Sequence, residues 1–235
     1  MLGVLCCGLV LNNAQAKPLY QDFSVSYLNG SDYELGDPKR QVVTLEYAAG
    51  MTWGDTFFFI DRVMPKTGDS ESYFEFSPRV SLSHLTGQAL KMGIVKDVFL
   101  AGTWEANSGK FGFDNYLYGL GVSLAVPQFQ YMNVNLYYSD NDKTDNDVML
   151  GLNWGLPFKL GAQDFLYDGF VDWSSRADDH AAEMNFTSQL KWNAGKLISP
   201  ETRLYLGIEY ALWHNKFGIK DVDERNPSIL IKYHF

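Results

Sequence analysis

The chain has 235 residues, a formal net charge of −9 and an aromatic content of 15%. This acidic balance argues against a nucleic acid partner, because no basic stripe is present to neutralise phosphates. No stretch of the sequence approaches the roughly 20 consecutive apolar residues of a spanning helix, so insertion in a membrane would require a closed β-barrel.

The first 16 residues are predicted to be a cleaved signal peptide. Met1 to Leu11 is apolar, and Ala14-Gln15-Ala16 is a cleavage site of the small-x-small type. A buried core helix would also suit an apolar run of this length, and the cleavage triplet favours the signal peptide. The barrel domain then covers residues 17–235 and contains no cysteine, since Cys6 and Cys7 both fall in the leader.

Strict alternation of apolar and polar residues continues along the rest of the chain. A period of two places one apolar and one polar face on a strand. We count about twelve such runs of about ten residues, the length of a tilted strand that crosses a bilayer. The apolar faces fall within residues 23–27, 43–47, 57–63, 74–82, 98–104, 116–124, 132–138, 148–154, 165–173, 184–192, 204–212 and 229–235. The predicted fold is therefore all-β, a transmembrane antiparallel barrel with an up-and-down meander.

The connections between the runs alternate in length. Short joins such as Gly50 to Gly54 and Gly155 to Pro157 take turns with longer acidic segments, although the join from Ser83 to Asp97 is longer than a tight turn. Short periplasmic turns and long outer loops are typical of outer-membrane barrels. An even number of strands also predicts that both termini are periplasmic, in the outer membrane of a Gram-negative bacterium.

Three features separate this barrel from a soluble β-sandwich. Most polar faces carry charges. The chain ends on Phe235 after an alternating apolar strand, which resembles the signal that outer-membrane barrels present to the barrel-assembly machinery. Aromatic residues also cluster at strand ends, as a girdle at the membrane interfaces requires; they are Trp53, Tyr73, Trp104, Tyr116, Tyr138, Trp154, Trp173, Trp192 and Tyr233. We therefore expect outer-membrane lipid and lipopolysaccharide to surround the chain.

The predicted inner face of the barrel combines charges with aromatic rings. Twelve strands lie between a filled barrel and a wide channel, which suggests a narrow pore lined by side chains. The charged inner set is Glu46, Glu75, Arg79, Glu105, Asp168, Asp172, Glu183, Lys191, Arg203, Glu209 and Lys232; the aromatic set is Tyr73, Phe99, Tyr131, Tyr137, Phe170 and Tyr205. Of the neighbours Asp61 and Arg62, only one can point inward.

From these sets we select the residues expected to line the pore and bind solute. They are Glu46, Tyr73, Glu75, Arg79, Phe99, Glu105, Tyr137, Asp168, Asp172, Arg203 and Glu209. Aromatic faces stack on bases for about 1–3 kcal/mol each, and carboxylates accept hydrogen bonds from hydroxyl groups. The alternative is a filled lumen in which the charges only pair with one another, for example Glu75 with Arg79.

Four segments resemble the Tsx/OmpK family of nucleoside-specific channel-forming outer-membrane proteins. They are Leu45 to Tyr47, Phe57 to Phe59 leading to Pro65, Phe74 to Leu82 with Leu85-Thr86, and Gly169 to Trp173, of which the part around Pro78-Arg79 is the most specific. The resemblance implies a narrow, monomeric barrel of twelve strands that passes nucleosides. Some members of this family serve as receptors for phages or colicins, so the resemblance also implies a receptor role as an alternative.

The sequence leaves two other classes of function open. A non-conducting structural or receptor barrel is the main alternative. An outer-membrane hydrolase is less favoured, because it needs a Ser–His pair and none of the four histidines lies mid-strand beside a serine. Zinc-ligand spacing and an EF-hand pattern are also missing from the sequence. We therefore predict neither an enzyme nor a cofactor.

Overall fold

Twelve antiparallel strands form one closed barrel in which the first strand pairs with the last. The structure, a computed structural model, describes residues 18–109 and 112–235; the predicted signal peptide and both cysteines lie outside these residues. The strands are β1 (Tyr20–Gly30), β2 (Arg40–Met51), β3 (Gly54–Pro65), β4 (Glu71–Ser81), β5 (Val95–Asn107), β6 (Asp114–Leu124), β7 (Tyr131–Asp140), β8 (Asp147–Leu160), β9 (Gln163–Ser174), β10 (Glu183–Asn193), β11 (Arg203–His214) and β12 (Glu224–His234). The prediction of a twelve-stranded meander is confirmed.

The two ends of the barrel differ in their connections. At one end, which we call the loop end, lie the connections 31–39, 66–70, 108–113, 141–146, 175–182 and 215–223. At the other, the turn end, β1 begins and β12 ends, and two connections have only two residues, 52–53 and 161–162. Successive joins alternate between the two ends, but length does not sort them strictly, because the connections 82–94 and 194–202 also lie at the turn end.

The faces of the strands follow the predicted register. On β12, Ser228 is 1% exposed and faces the lumen, whereas its neighbour Ile229 is 65% exposed on the outside. Leu120 and Ile208, predicted to face lipid, are likewise exposed on the outside. Such apolar exposure suits a surface that lipid covers. No helix among the described residues is long and apolar enough to span a membrane.

Strand β8 runs further than the sequence indicates. The predicted turn from Gly155 to Pro157 is wrong, because β8 continues to Leu160 and turns at 161–162. Strand β7 pairs with β8 only as far as Gly155, whose carbonyl accepts a hydrogen bond from Gln130 on that side. The nitrogen of Pro157 points to the same, unpaired side, so its missing N–H leaves no ladder bond broken. The β8–β9 hairpin therefore projects beyond the rim of its neighbour β7.

The long join between β4 and β5 is built around a short helix, α1 (Leu82–Thr86). Ser81 caps it by accepting a hydrogen bond from the backbone N–H of His84, and Gly87 ends it in the left-handed region with φ 67°. The carboxylate of Asp97 accepts bonds of 2.5 Å from the hydroxyl groups of Ser81 and Ser83. These contacts fasten the helix to the start of β5.

Two small apolar clusters lie inside the barrel. Leu28, Val42 and Leu230 form one across β12, β1 and β2, with Val63 of β3 packed against it. Ala101, Leu117 and Tyr137 form the other across β5, β6 and β7, with Met149 of β8 beside them. The lumen therefore carries apolar patches on two walls, and polar and aromatic side chains occupy most of the other inner positions.

Candidate functional site

All eleven residues selected from the sequence lie on inner faces of the barrel. Strand pairing fixes this, because Tyr73, Glu75 and Arg79 on β4 oppose Asp61, Phe59 and Asp55 on β3. Of the adjacent pair Asp61 and Arg62, Asp61 points inward. Tyr73, counted also with the aromatic girdle, belongs to the lumen, so its assignment to the girdle is wrong. The register places these residues on the inner surface of the same barrel. Their contact with solute stays a prediction.

Arg79 forms a bidentate ion pair with Asp55. The distances are 2.8 Å from Nε to Oδ1 and 2.6 Å from Nη2 to Oδ2. Its Nη2 also donates to Asn133 on β7 at 3.1 Å, and the guanidinium carbon lies 4.5 Å from the centre of the Phe99 ring. The suggested pairing with Glu75 is therefore wrong, because Asp55 stands directly opposite Arg79 on the neighbouring strand.

Two lysines form similar pairs on other strands. Lys191 is fully buried and donates to Asp168 at 2.6 Å and to Gln189 at 2.9 Å. Lys232 is paired with Glu46. Together with Asp55–Arg79 these pairs form a set that we call the ion-pair belt. Buried charges need such partners, because an unpaired charge in a low-dielectric interior costs several kcal/mol.

Arg203 lies at the turn end. It donates to Asp22 at 2.6 Å and to the main-chain oxygen of Phe235 at 2.7 Å. Asp22 also contacts the ring of His234 at 2.6 Å. Among the selected residues, Arg203 thus contacts the last residue of the chain.

Several inner carboxylates lie on the loop side of the belt, and six of them form one set without a cationic partner. On β4, Glu75 is four positions nearer the loop end than Arg79, and on β9, Asp172 is four positions nearer than Asp168. We call the set the loop-side carboxylates: Asp61, Glu75, Glu105, Asp172, Glu183 and Glu209. No lysine or arginine among the described residues forms an ion pair with any of them.

Neutral groups hold five of these six carboxylates. The donors are Thr44 to Asp61 at 2.6 Å, Tyr73 to Glu75, Asn115 to Glu105 at 3.5 Å, Trp213 to Glu183 at 2.8 Å and Gln189 to Glu209 at 2.7 Å. No described residue donates a side-chain hydrogen bond to Asp172. Because these donors are neutral, they supply no positive charge opposite the carboxylates, and this part of the lumen is lined by acidic groups.

Aromatic rings and carboxylates alternate on β3 and β4. Phe59 opposes Glu75, and Asp61 opposes Tyr73, so that the two rings lie on one diagonal and the two acids on the other. The ring centres of Phe59 and Tyr73 are 5.7 Å apart, and Phe113 lies 6.1 Å beyond Tyr73. Rings and hydrogen-bond acceptors are therefore within reach of one small solute.

Sequence reasoning missed several inner residues of β3. Phe57 is 39% exposed, Phe59 lies beside Tyr73, and Asp55 is the partner of Arg79. The run of three phenylalanines from Phe57 to Phe59 hid the alternation, because apolar residues occupy both faces. The opposing strand could have supplied the missing signal, since Glu75 and Arg79 stand across from Phe59 and Asp55.

Two of the selected aromatic residues are covered in this structure. Phe99 and Tyr137 are each 6% exposed. The guanidinium group of Arg79 covers Phe99, and Tyr137 packs with Ala101 and Leu117. A solute therefore meets Phe57, Phe59 and Tyr73 more readily than these two rings.

A clasp of side chains joins two loops at the loop end. Lys216 pairs with Glu224 at 2.5 Å, and its ammonium group lies 4.6 Å from the ring centre of Trp213 and 5.9 Å from that of Tyr33. The backbone N–H of Glu34 donates to the same Glu224 carboxylate at 2.9 Å. Burial lowers the pKa of Lys216, and the charge of Glu224 opposes that change. The first and last loops are thereby joined over the inner wall of β12.

A second loop contact centres on His180. Its Nδ1 lies 2.7 Å from Asp179 and its Nε2 lies 3.3 Å from Asp147 at the start of β8. Burial alone would lower the pKa of His180, but the hydrogen bond with Asp179 and the charge of Asp147 raise it above its ordinary value. His180, His214 and His234 each contact an aspartate. No group of three or more His, Cys, Asp or Glu within residues 18–109 and 112–235 is arranged to hold a metal ion.

Known proteins resemble this chain in sequence and in fold. A family model described as "Nucleoside-specific channel-forming protein, Tsx" matches residues 20–234. The outer membrane protein OmpK of Vibrio parahaemolyticus is 28% identical over 250 aligned residues, which cover 91% of this chain and 90% of that protein. Among solved structures, KdgM porin has a TM-score of 0.54 at 6% identity, and NanC porin has 0.50 at 11%. Each alignment covers 91% of this chain and 99% of the porin, so the likeness extends over the whole barrel fold.

Proposed function

The chain belongs to the family of nucleoside-specific channel-forming proteins, Tsx, and from this premise we propose that it is a passive outer-membrane channel whose solutes are nucleosides. A closed barrel of a channel-forming outer-membrane family lies in lipid and passes small solutes. The nucleoside as solute is the part that we add. It is supported by the family description and by the chemistry of the inner wall.

The alternating rings and acids of β3 and β4 carry this proposal. A nucleoside presents a flat base and a sugar with hydroxyl groups. Phe59 and Tyr73 offer faces on which a base can stack, for about 1–3 kcal/mol each. Glu75 and Asp61 lie on the crossing diagonal, where their oxygens can accept hydrogen bonds from sugar hydroxyls.

We further propose that the termini face the periplasm and the loop end faces outward. Short turns on the periplasmic side and long loops on the outer side are usual in such barrels. The protein would work as a monomer, because the lumen is built within one chain. Its last strand, ending at Phe235, would be the segment that the barrel-assembly machinery recognises.

A non-conducting receptor barrel is the second candidate, and the clasp at the loop end favours it. Lys216 and Glu224 are almost fully buried at the loop end, as they would be in a permanent plug. The two candidates differ in ion current, which a plug abolishes. We propose no catalytic role for the chain.

Single-channel conductance in planar bilayers, with and without nucleosides, tests the channel. Nucleosides should block the current reversibly. Phe59→Leu should weaken the block about 5- to 150-fold, since the loss of one stacking contact of about 1–3 kcal/mol changes a binding constant by that factor. Phe58→Leu is the matched control, because Phe58 lies one position away on the outer face. A current that nucleosides never block, or an equal effect of both variants, would contradict the nucleoside proposal.

A further inference from the structure

We propose that the lumen selects for positive charge, so that cations and cationic solutes pass in preference to anions. This inference rests on the proposed channel function and concerns the charge of what the channel admits. It is carried by the separation of paired and unpaired charges along the inner wall.

Five positive charges of the lumen are already neutralised by carboxylates, whereas Arg40, at the loop end of β2, donates to the main-chain oxygen of Asp37. Arg79 is paired with Asp55, Lys191 with Asp168 and Lys232 with Glu46. At the turn end, Arg203 is paired with Asp22, and at the loop end, Lys216 is paired with Glu224. Each of these five cationic side chains already has a carboxylate partner, so none of them is free to attract an anion in the lumen.

The loop-side carboxylates have no such compensation. Their donors are hydroxyl, amide and indole groups, which orient a carboxylate without cancelling its charge. A chamber lined by one sign of charge within low-dielectric walls concentrates the opposite ion. Rings of Asp and Glu side chains are the usual selectivity element of cation channels.

Glu75, Glu105 and Asp172 are the centre of this chamber. Glu75 and Glu105 stand directly opposite each other on β4 and β5, an arrangement that is destabilising for like charges. Asp172 is enclosed by the barrel, and no described side chain or backbone group donates a hydrogen bond to it. No lysine or arginine among the described residues pairs with this trio, whereas a passing cation would balance its charge.

The chamber is arranged for passage more than for retention. No group of three or more described carboxylates and histidines is arranged to hold a metal ion. Carboxylates outside such a group attract a hydrated or organic cation by their field without replacing its water. Conduction requires binding of this moderate strength, so that an ion enters the lumen readily and also leaves it.

The test is the zero-current potential of the wild-type channel in a planar bilayer that separates two KCl concentrations. We expect a potential of the sign that potassium selectivity produces. The triple variant Glu75→Gln, Glu105→Gln, Asp172→Asn should lower the ratio of potassium to chloride permeability about tenfold, the factor that corresponds to about 1.4 kcal/mol. The matched control is Asp69→Asn, Asp178→Asn, Glu201→Gln, which removes the same charge from exposed connections outside the barrel wall.

The outcomes separate this inference from the proposed function. A wild-type channel that prefers chloride or neither ion overturns the inference even if nucleosides still block the current. An unchanged ratio in the triple variant, or an equal fall in the control, also overturns it. Cation preference without nucleoside block overturns the choice of solute and supports the inference. A barrel that passes no ions overturns both. Because the wild-type potential alone is decisive, the inference stays testable if the triple variant fails to fold.

Discussion

Arg79 joins separate parts of the barrel wall through one guanidinium group. It is paired with Asp55 on β3 and donates to Asn133 on β7, two strands beyond the neighbouring β5. Removing it leaves the carboxylate of Asp55 without its cation. Breaking a buried pair in this way costs about 3–5 kcal/mol, whereas replacing both members costs much less.

We therefore expect Arg79→Gln to lower the free energy of unfolding by about 3–5 kcal/mol. The double variant with Asp55→Asn should recover most of that loss. Urea unfolding of the protein in lipid vesicles measures both values. Arg62→Gln is the control, since Arg62 points outward and donates only to Ser72 among the described residues; its change should stay within about 0.5 kcal/mol.

His180 should make the packing of the 175–182 loop depend on pH. Its pKa is raised in the folded protein, so its contacts stabilise the loop fully below its ordinary pKa of about 6.5. That stabilisation is lost as the pH rises through the raised pKa. Amide hydrogen exchange of the loop, corrected for the intrinsic effect of pH, should show less protection at alkaline pH. In His180→Gln the corrected protection should not vary with pH.

At the scale of the strands, the cost of a charge should depend on which face carries it. Leu120→Arg places a cation on the exposed outer face of β6 and should cost about 2–4 kcal/mol near the bilayer midplane. Ser77→Arg, on the inner face of β4, should cost much less. Folding free energies in lipid vesicles give the comparison, and equal costs would mean that the register is shifted by one residue.

Gly207 is unsuitable as an inner-face control, although alternation places it in the lumen. A Cβ at this position would meet the backbone carbonyl of Leu190 on the neighbouring strand. Any side chain there would displace β10 and cost stability for a reason unrelated to lipid. Sequence alternation identifies the face of such a position, but how closely two backbones approach emerges only from the assembled sheet.

The strands were easier to predict than their ends and partners. Period two is a local property, so the inner position of Glu75 or Asp172 follows from the sequence alone. The sequence predicts a turn at Pro157, and only the pairing of β8 with both neighbours shows that its nitrogen faces no strand. The pairing of Arg79 with Asp55 likewise depends on the register between β3 and β4, which alternation does not specify.

At the scale of the whole molecule, closure joins the two ends of the chain. Strands β1 and β12 pair from Ser24–His234 to Gly30–Ser228, and the backbone N–H of Phe235 donates to Phe23 at 2.9 Å. The ring of Phe235 lies 5.3 Å from that of Phe23 and is largely exposed. Phe235 therefore contributes few buried contacts to the finished barrel.

Phe235→Ala should accordingly reduce insertion far more than it reduces stability. The amount of folded protein in outer-membrane fractions measures insertion, and unfolding of purified barrels measures stability. Normal membrane levels of the variant would show that recognition of the last strand does not depend on this ring. Phe23→Ala is the matched control, because it removes the other ring of the same contact.

The meeting of β1 and β12 at the turn end has one more consequence. In a closed meander every strand pairs with two neighbours. The order of the twelve strands is therefore circular, and the fold itself does not determine which strand comes first. A short peptide that links residue 235 to residue 18, together with a cut in the exposed connection 141–146, would preserve every strand pairing. Such a circular permutant would end on β7 in place of β12. Folding of the barrel and recognition of its last strand, which share one terminus in the natural chain, would thereby become separable properties.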